Sequence, residues 1–328
     1  MLRAQYDRRG PVPQDVIRAV EFPRPTLQAG QALVEVLAAP INPSDVLTLT
    51  GEYGLLPPLP AIGGNEGVGR VAELGPGTAG PPVGQTVLLP PQSGTWATHL
   101  VAEARALVPL PNEADPQQLA MMTVNPPTAL LLLRQFVDLQ PGDWVAQNAA
   151  NSAVGTYLVQ LARRRGLRTV NIVRREDAAE AVREAGADVV LVDGEALARR
   201  VAEATGGAAI RLGIDAVAGE AIGRLAECLG QGATLVNYGR MSGQPCVIQP
   251  SAFIFRDLTL RGFWLALWYR NATAEQRAAV IGEVAGLIAT GKLHARVQAT
   301  YDVSEIREAV AAAAAGERAG KILVVPRR

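Results

Sequence analysis

Residues 51 to 69 read GEYGLLPPLPAIGGNEGVG. One phenol, Tyr53, is set in a run of glycine and proline, and Asn65 and Glu66 directly follow the pair Gly63-Gly64. A phenol keeps its proton at neutral pH and can donate a hydrogen bond or a proton without a metal. Prolines restrict the backbone in advance, so a side chain held there is ordered at little entropic cost when a ligand arrives. By residue type alone, proton donation and plain packing both remain open for Tyr53. The cysteines and histidines are Cys228, Cys246, His99 and His294, scattered along the chain. A structural zinc site needs four N or S ligands at short paired spacings, and a catalytic one needs about three protein ligands. No metal centre is therefore expected. The same scarcity argues against a Cys–His or Ser–His–Asp nucleophile.

A second constellation lies mid-chain. DWVAQNAA reads as a buried strand, NSAVG as a turn, and TYLVQLARRRG as a helix stopped by Gly166. A dinucleotide fingerprint G-x-G-x-x-G would fall on Ala150, Ser152 and Gly155, so the last glycine alone is kept. Small residues still let a pyrophosphate approach, the free N–H groups of the helix start favour an anion, and Asn151 and Ser152 add side-chain donors. The bland alternative is a turn that only caps a helix. The next strand, RTVNIVRR, ends in Arg174-Arg175, where a carboxylate would serve a ribose hydroxyl. Two arginines suit a 2′-phosphate instead, which favours NADPH over NADH, although Glu176 and Asp177 follow at once.

The elements that must position these residues follow a regular order. From residue 143, strands and helices alternate through AAEAVREAG, DVVLVD, EALARRVAEATGG, IRLGIDAVAG, EAIGRLAECLG and ATLVNYGRM. This predicts a parallel sheet covered on both faces, with ligands beyond the carboxyl ends of its strands. Before residue 120 the chain is β-rich and punctuated by Pro and Gly. After 262 come the helix TAEQRAAVIGEVAGLIATG, the strand ARVQATYDV, a helix SEIREAVAAAAAG expected to be capped by Ser304, and the strand GKILVVP. The fold class is α/β, a doubly wound parallel sheet with a β-rich second domain. The boundaries are drawn at 1–121, 122–262 and 263–328, the last segment rejoining the first. The 328 residues carry 31 Lys+Arg and 31 Asp+Glu, which leaves no basic excess for nucleic acid or an anionic membrane. No apolar run is long enough for a transmembrane helix, and MLRAQYDRRGPVPQDV lacks a signal-peptide core, so a cytoplasmic protein is expected.

Several stretches together resemble the medium-chain dehydrogenase/reductase superfamily over essentially the whole chain, and within it the zinc-free mitochondrial-type trans-2-enoyl thioester reductases. They are APINPSD, GEYGLLPPLPAIGGNEGVG, GTW, TVNPPTA, LQPGDWVAQNAANSAVG, GLRTVNIVRR, VNYGRMSGQP and LTLRGFWLALW. The resemblance implies a Rossmann domain plus a GroES-like catalytic domain, with NADPH (or NADP+) as cofactor. Zinc-dependent members carry ligands where this chain has Asn42, Asn65 and Val124. In residue terms Asn42 could simply shape an Asx turn before Pro43. Tyr53 matches the family's catalytic tyrosine. Asn42, Asn65 and Trp264 fall on the substrate or nicotinamide side. Cofactor contacts are implied for Asn125, Asn151, Ser152, Ala153, Val154, Gly155, Arg174, Arg175, Tyr238, Gly239, Arg240, Met241, Phe263, Trp264, Leu265 and Lys321. In one departure, the family's Arg-Asp-Arg type segment reads Arg174-Arg175-Glu176. The implied reaction is reduction of a trans-2-enoyl thioester, carried by CoA or acyl-carrier protein, to the acyl thioester, by a homodimer. A zinc-free quinone oxidoreductase and a non-catalytic NADPH-binding protein are the competing readings.

Overall fold

The computed structural model describes residues 1–316 and 318–327. In chain order the elements begin β1 (Leu2–Tyr6), β2 (Ile17–Glu21), β3 (Gln31–Pro40), α1 (Pro43–Thr50), β4 (Ala61–Ile62), β5 (Val68–Leu74), β6 (Thr86–Leu88), β7 (His99–Glu103), β8 (Val108–Pro109) and α2 (Pro116–Leu119). Next come α3 (Asn125–Leu132), β9 (Trp144–Gln147), α4 (Ala153–Arg164), β10 (Arg168–Val173), α5 (Ala179–Glu184), β11 (Val189–Val192), α6 (Leu197–Thr205), β12 (Ile210–Asp215), α7 (Gly219–Glu227), β13 (Thr234–Asn237), α8 (Pro250–Ile254), β14 (Thr259–Gly262) and α9 (Leu265–Asn271). The chain closes with α10 (Ala274–Ala289), β15 (Val297–Tyr301), α11 (Ile306–Ala314) and β16 (Lys321–Val324).

Two compact units share these elements. The first is Met1–Val124 with the chain from Gly282 onward; the second is Asn125–Ile281. The sequence pattern placed the return at 263, whereas residues 263–281 belong to the second unit. The backbone gives the reason: β14 pairs with β13 up to Gly262, and the Phe263 N–H donates to Asn237 O at 2.9 Å, so α9 starts from the edge of the parallel sheet. Thr123, placed in the central domain by the pattern, is tied to the first unit by two bonds to Glu66.

The first unit is β-rich. One sheet has order β2-β1-β4, and a seven-stranded sheet runs β15-β16-β3-β5-β6-β8, with β7 also paired to β3. β16 lies antiparallel to β3, so the C-terminal segment rejoins the N-terminal strands as the pattern predicts. Trp96, fully buried beside Tyr6, Ile41 and Leu49, explains the glycine pair. A β-carbon on Gly63 would sit 2.2 Å from Trp96 Cε3, and one on Gly64 2.3 Å from Thr95 Oγ1. The closing helix takes no cap from Ser304: the 3-10 turn Val303–Glu305 that leads into it is capped by Asp302. Asp302 accepts from Ser304 N–H, and Glu305 accepts from Asp302 N–H, a reciprocal box that starts two residues earlier than expected.

The second unit is a six-stranded sheet of order β11-β10-β9-β12-β13-β14 in which every adjacent pair is parallel. Numbered from its first strand this is 3-2-1-4-5-6, with the topological switch between β9 and β12. α4 is amphipathic and ends where Gly166 turns left-handed at φ +69°, as its Gly stop predicts.

Candidate active site

Around Asn42 and Asn65 the first unit closes a buried polar network. The Asn42 amide donates to Glu66 Oε1 at 2.7 Å, and its side-chain oxygen accepts from the Lys321 ammonium. Lys321 Nζ also donates to Ile41 O at 3.3 Å. Glu66 Oε2 accepts from Thr123 N–H at 3.0 Å and from its hydroxyl at 2.8 Å. Asp45 Oδ2 accepts the Asn42 N–H at 2.7 Å, and Asp45 Oδ1 accepts the Asn65 amide at 2.6 Å. Asn42, Asp45, Glu66 and Lys321 are all buried. Asn42 and Asn65 thus both give their amide protons to carboxylates. Among the described residues, no group of three His, Cys, Asp or Glu could hold a metal.

Two carboxylates and one ammonium in this space shift one another. Burial pushes Asp45 up to about 7, against the hydrogen bond from Asn42 N–H. Burial also raises Glu66, opposed by the Lys321 charge. Lys321 is pulled down to about 8 by burial, with Glu66 holding it back. A charged group loses hydration in the interior, and partners return part of that loss.

Tyr53 stands three residues beyond α1, and the helix carries it. Gly51 ends α1 in the left-handed conformation, and the N–H groups of Glu52 and Tyr53 both donate to Leu47 O, at 2.9 and 3.1 Å. From outside, Arg9 donates to Pro57 O, and Gly10 N–H donates to Leu49 O at 3.1 Å.

In the second unit, the turn after β9 bends through Ala149, at φ +48°, into α4. Ser152 caps the helix, its Oγ accepting Gly155 N–H at 3.1 Å. A β-carbon on Gly155 would lie 2.4 Å from Ala150 O, so the one glycine kept from the fingerprint is the one that lets the helix close on the strand. Ala153 and Val154 form the first turn of α4, and Asn151 is exposed before it. The Tyr238 side chain bonds Ser152; burial raises its phenol, and that bond works against the rise. Gly239 and Arg240 follow, then Met241, which is exposed. Trp264 caps α9, Leu265 opens it, and the Phe263 ring meets Phe136 edge-on at 6.0 Å. Asn125 is buried at the start of α3. Arg174 is exposed beyond β10, and Arg175 pairs with Asp177 at 3.0 Å. Glu176 is engaged by Arg183 at 3.2 Å. Both carboxylates after the arginines therefore have arginine partners.

Sequence reading did not single out Asp45, Thr123, or the triad Asn148, Asp215 and Asn237. Buried Asp215, at the end of β12, accepts from Asn148 Nδ2, from Asn237 Nδ2 at 2.6 Å and from Ala218 N–H at 3.0 Å. It ties together the carboxyl ends of three strands beside the switch point. The available signal was a polar residue closing each apolar strand, in VAQN, LGID and TLVN. Lys321, matched to a cofactor contact by resemblance, lies in the buried network of the first unit.

Comparisons with known proteins fit this geometry. The family model for the alcohol dehydrogenase GroES-like domain matches residues 28–112, and that for zinc-binding dehydrogenase matches 153–280. A mitochondrial enoyl-[acyl-carrier-protein] reductase of Arabidopsis thaliana is 38% identical over 294 residues, 88% of this chain and 78% of the relative. A putative NADPH:quinone reductase from Bacillus thuringiensis superposes with a TM-score of 0.88 at 28% identity, over 99% of both chains. The Etr1p complex with NADP and crotonyl-CoA superposes with a TM-score of 0.87 at 25% identity, again over 99% of both. On this likeness across nearly its whole length, the chain belongs to the enoyl-[acyl-carrier-protein] reductase family of the medium-chain dehydrogenases/reductases.

Proposed function

We propose that this protein reduces trans-2-enoyl thioesters to acyl thioesters with NADPH and without zinc, Tyr53 being the catalytic donor. The observation that carries this reading is the anchored backbone of Tyr53, at the end of the helix whose start Asn42, Asp45 and Asn65 tie down. Relatives bear the name enoyl-[acyl-carrier-protein] reductase, and Etr1p was captured with NADP and crotonyl-CoA.

The turn at Ser152–Gly155 fits a dinucleotide phosphate: it has no carboxylate, its donors start a twelve-residue helix, and Gly155 leaves the space that a β-carbon would fill. Ser152 to Gly155 with Asn151 would hold the pyrophosphate, and Arg174 and Arg175 the 2′-phosphate. Asn125, Tyr238 to Met241 and Phe263 to Leu265 would line the rest, with Trp264 toward the nicotinamide. NADPH, when bound, supplies the hydride for the β-carbon of the enoyl thioester. Tyr53, directly or through a water, supplies either the proton for the α-carbon or the hydrogen bond to the thioester oxygen, where negative charge gathers. A donor aimed at such an oxygen contributes about 3 kcal/mol to the rate. Asn42, Asn65 and Lys321 serve by holding the loop segments around it.

The carrier is CoA or acyl-carrier protein. All four residues of β14 are exposed at the sheet edge, so two copies can pair there as a homodimer. A Leu260→Pro variant, which removes an edge N–H, should shift the mass in solution from dimer to monomer. No helix among the described residues is long and apolar enough to cross a membrane. Both cysteines are free, which suits the reducing cytoplasm.

The likeness to the putative quinone reductase favours one second reading, quinone reduction on the same site. NADPH consumption with crotonyl-CoA, a longer 2-enoyl-CoA and a benzoquinone, in wild type and Tyr53→Phe, separates the two. The expected result is turnover of the enoyl thioesters, lowered about 100-fold by Tyr53→Phe. Good quinone turnover, no enoyl turnover and an indifferent Tyr53→Phe would refute the assignment.

A further inference from the structure

The family's tyrosine accounts for the donor, but not for what holds it still. α1 has eight residues, about 12 Å of helix, too short to be stable alone. Its apolar anchoring is modest: Leu49 is its one buried large apolar side chain, with Val46 partly buried beside it. Its N-terminal end is tied far more densely. Asp45, in the first turn, takes the Asn65 amide and the Asn42 N–H. Asn42, the cap, is held by Glu66 and Lys321, and Glu66 is held in turn by Thr123. At the other end Leu47 O receives the backbone N–H of Tyr53 itself. Asp45 and the backbone of Tyr53 are therefore joined through the C-terminal half of α1.

We infer that Asp45, with Asn65 as its partner, is a positioning residue for Tyr53: the part-buried bond between them clamps the start of α1 and so fixes where the phenol stands. The inference rests on Tyr53 being the catalytic donor. Displacing a donor by about 1 Å can cost about 100-fold in rate, so a clamp one short helix away has leverage without touching substrate.

A double-mutant cycle tests it. Asp45→Asn retains the shape but sets an amide against two donors, so one of the two bonds fails. We expect kcat for crotonyl-CoA to fall about tenfold or more in the wild-type background. NADPH affinity, read by nucleotide fluorescence, should stay within about twofold, because the dinucleotide turn belongs to the other unit. In the Tyr53→Phe background the same Asp45→Asn change should cost less than about threefold, since the phenol it positions is gone. Asn65→Ala, which removes the 2.6 Å bond and leaves the carboxylate, repeats the cycle if Asp45→Asn does not fold. An equal loss in both backgrounds would overturn the inference and leave the pair a stability element. An indifferent Tyr53→Phe would instead overturn the assignment of the donor, so the two failures are distinguishable.

Discussion

Lys321 and Asn42 stand 279 residues apart in sequence, yet the lysine ammonium donates to the asparagine side-chain oxygen. The last strand thereby delivers a cation to a site built by the first sixty-six residues and Thr123. It is the counter-charge for Asp45 and Glu66, both buried.

Removing that cation should be costly. Lys321→Met leaves two buried carboxylates without a positive partner, and breaking a buried ion pair from one side costs about 3–5 kcal/mol. Chemical denaturation at pH 7.5 checks this; a loss below 1 kcal/mol would mean water already compensates the carboxylates.

The cluster should also produce an uncommon pH profile. Asp45 is raised in the fold from 3.8 to about 7, so between those values the folded state holds a proton that the unfolded state has released. Its contribution is complete at low pH and is lost as pH rises toward 7. Lys321 is lowered from 10.5 to about 8, so between 8 and 10.5 the unfolded state holds the extra proton and stability rises with pH. The two limbs leave a minimum between about pH 7 and 8, each with a slope of at most about 1.4 kcal/mol per pH unit. Denaturation midpoints from pH 5 to 10 should show Asp45→Asn flattening the acid limb and Lys321→Met the alkaline one.

Gly64 cannot be replaced quietly. It lies at φ +100°, and a β-carbon would sit 2.3 Å from Thr95 Oγ1 and 2.7 Å from Trp96 N. Gly64→Ala should destabilise the protein by about 2 kcal/mol or more, through backbone strain plus overpacking. Thermal unfolding measures it, and an unchanged Tm would mean the segment moves freely off Trp96.

Gly155→Ala should act on cofactor binding. The added carbon meets Ala150 O at 2.4 Å, backbone against backbone, so α4 must back away from the turn. NADPH affinity should drop about tenfold or more, read by fluorescence titration, since the helix start no longer faces the phosphate at close range.

Cofactor choice should depend on the arginines after β10. Arg174 is exposed beyond the strand and Arg175 is partly exposed beside it. A charge-assisted bond to a 2′-phosphate contributes about 1.5–3 kcal/mol. Arg174→Ala and Arg175→Ala should therefore each raise KM for NADPH about tenfold or more with NADH unaffected. Equal effects on both nucleotides would place the phosphate elsewhere.

The alternating second unit, the β-rich first unit and the return of the last strand were legible in the sequence, because strand and helix periods are local. The scarcity of Cys and His was equally legible, since ligand chemistry is a property of residue type. Tyr53 and Gly155 were legible for the same reason, one as a phenol in a proline loop, the other as the glycine at a tight turn. Long-range packing alone buries Asp45, which reads as an ordinary first-turn carboxylate, and bonds it to Asn65 twenty residues away. It alone drew Glu66, Thr123 and Lys321 to one point, joined the ends of three strands through Asp215, and kept residues 263–281 with the parallel sheet. A buried polar group is stable only when its partners arrive together, and those partners come from distant segments that no local pattern connects.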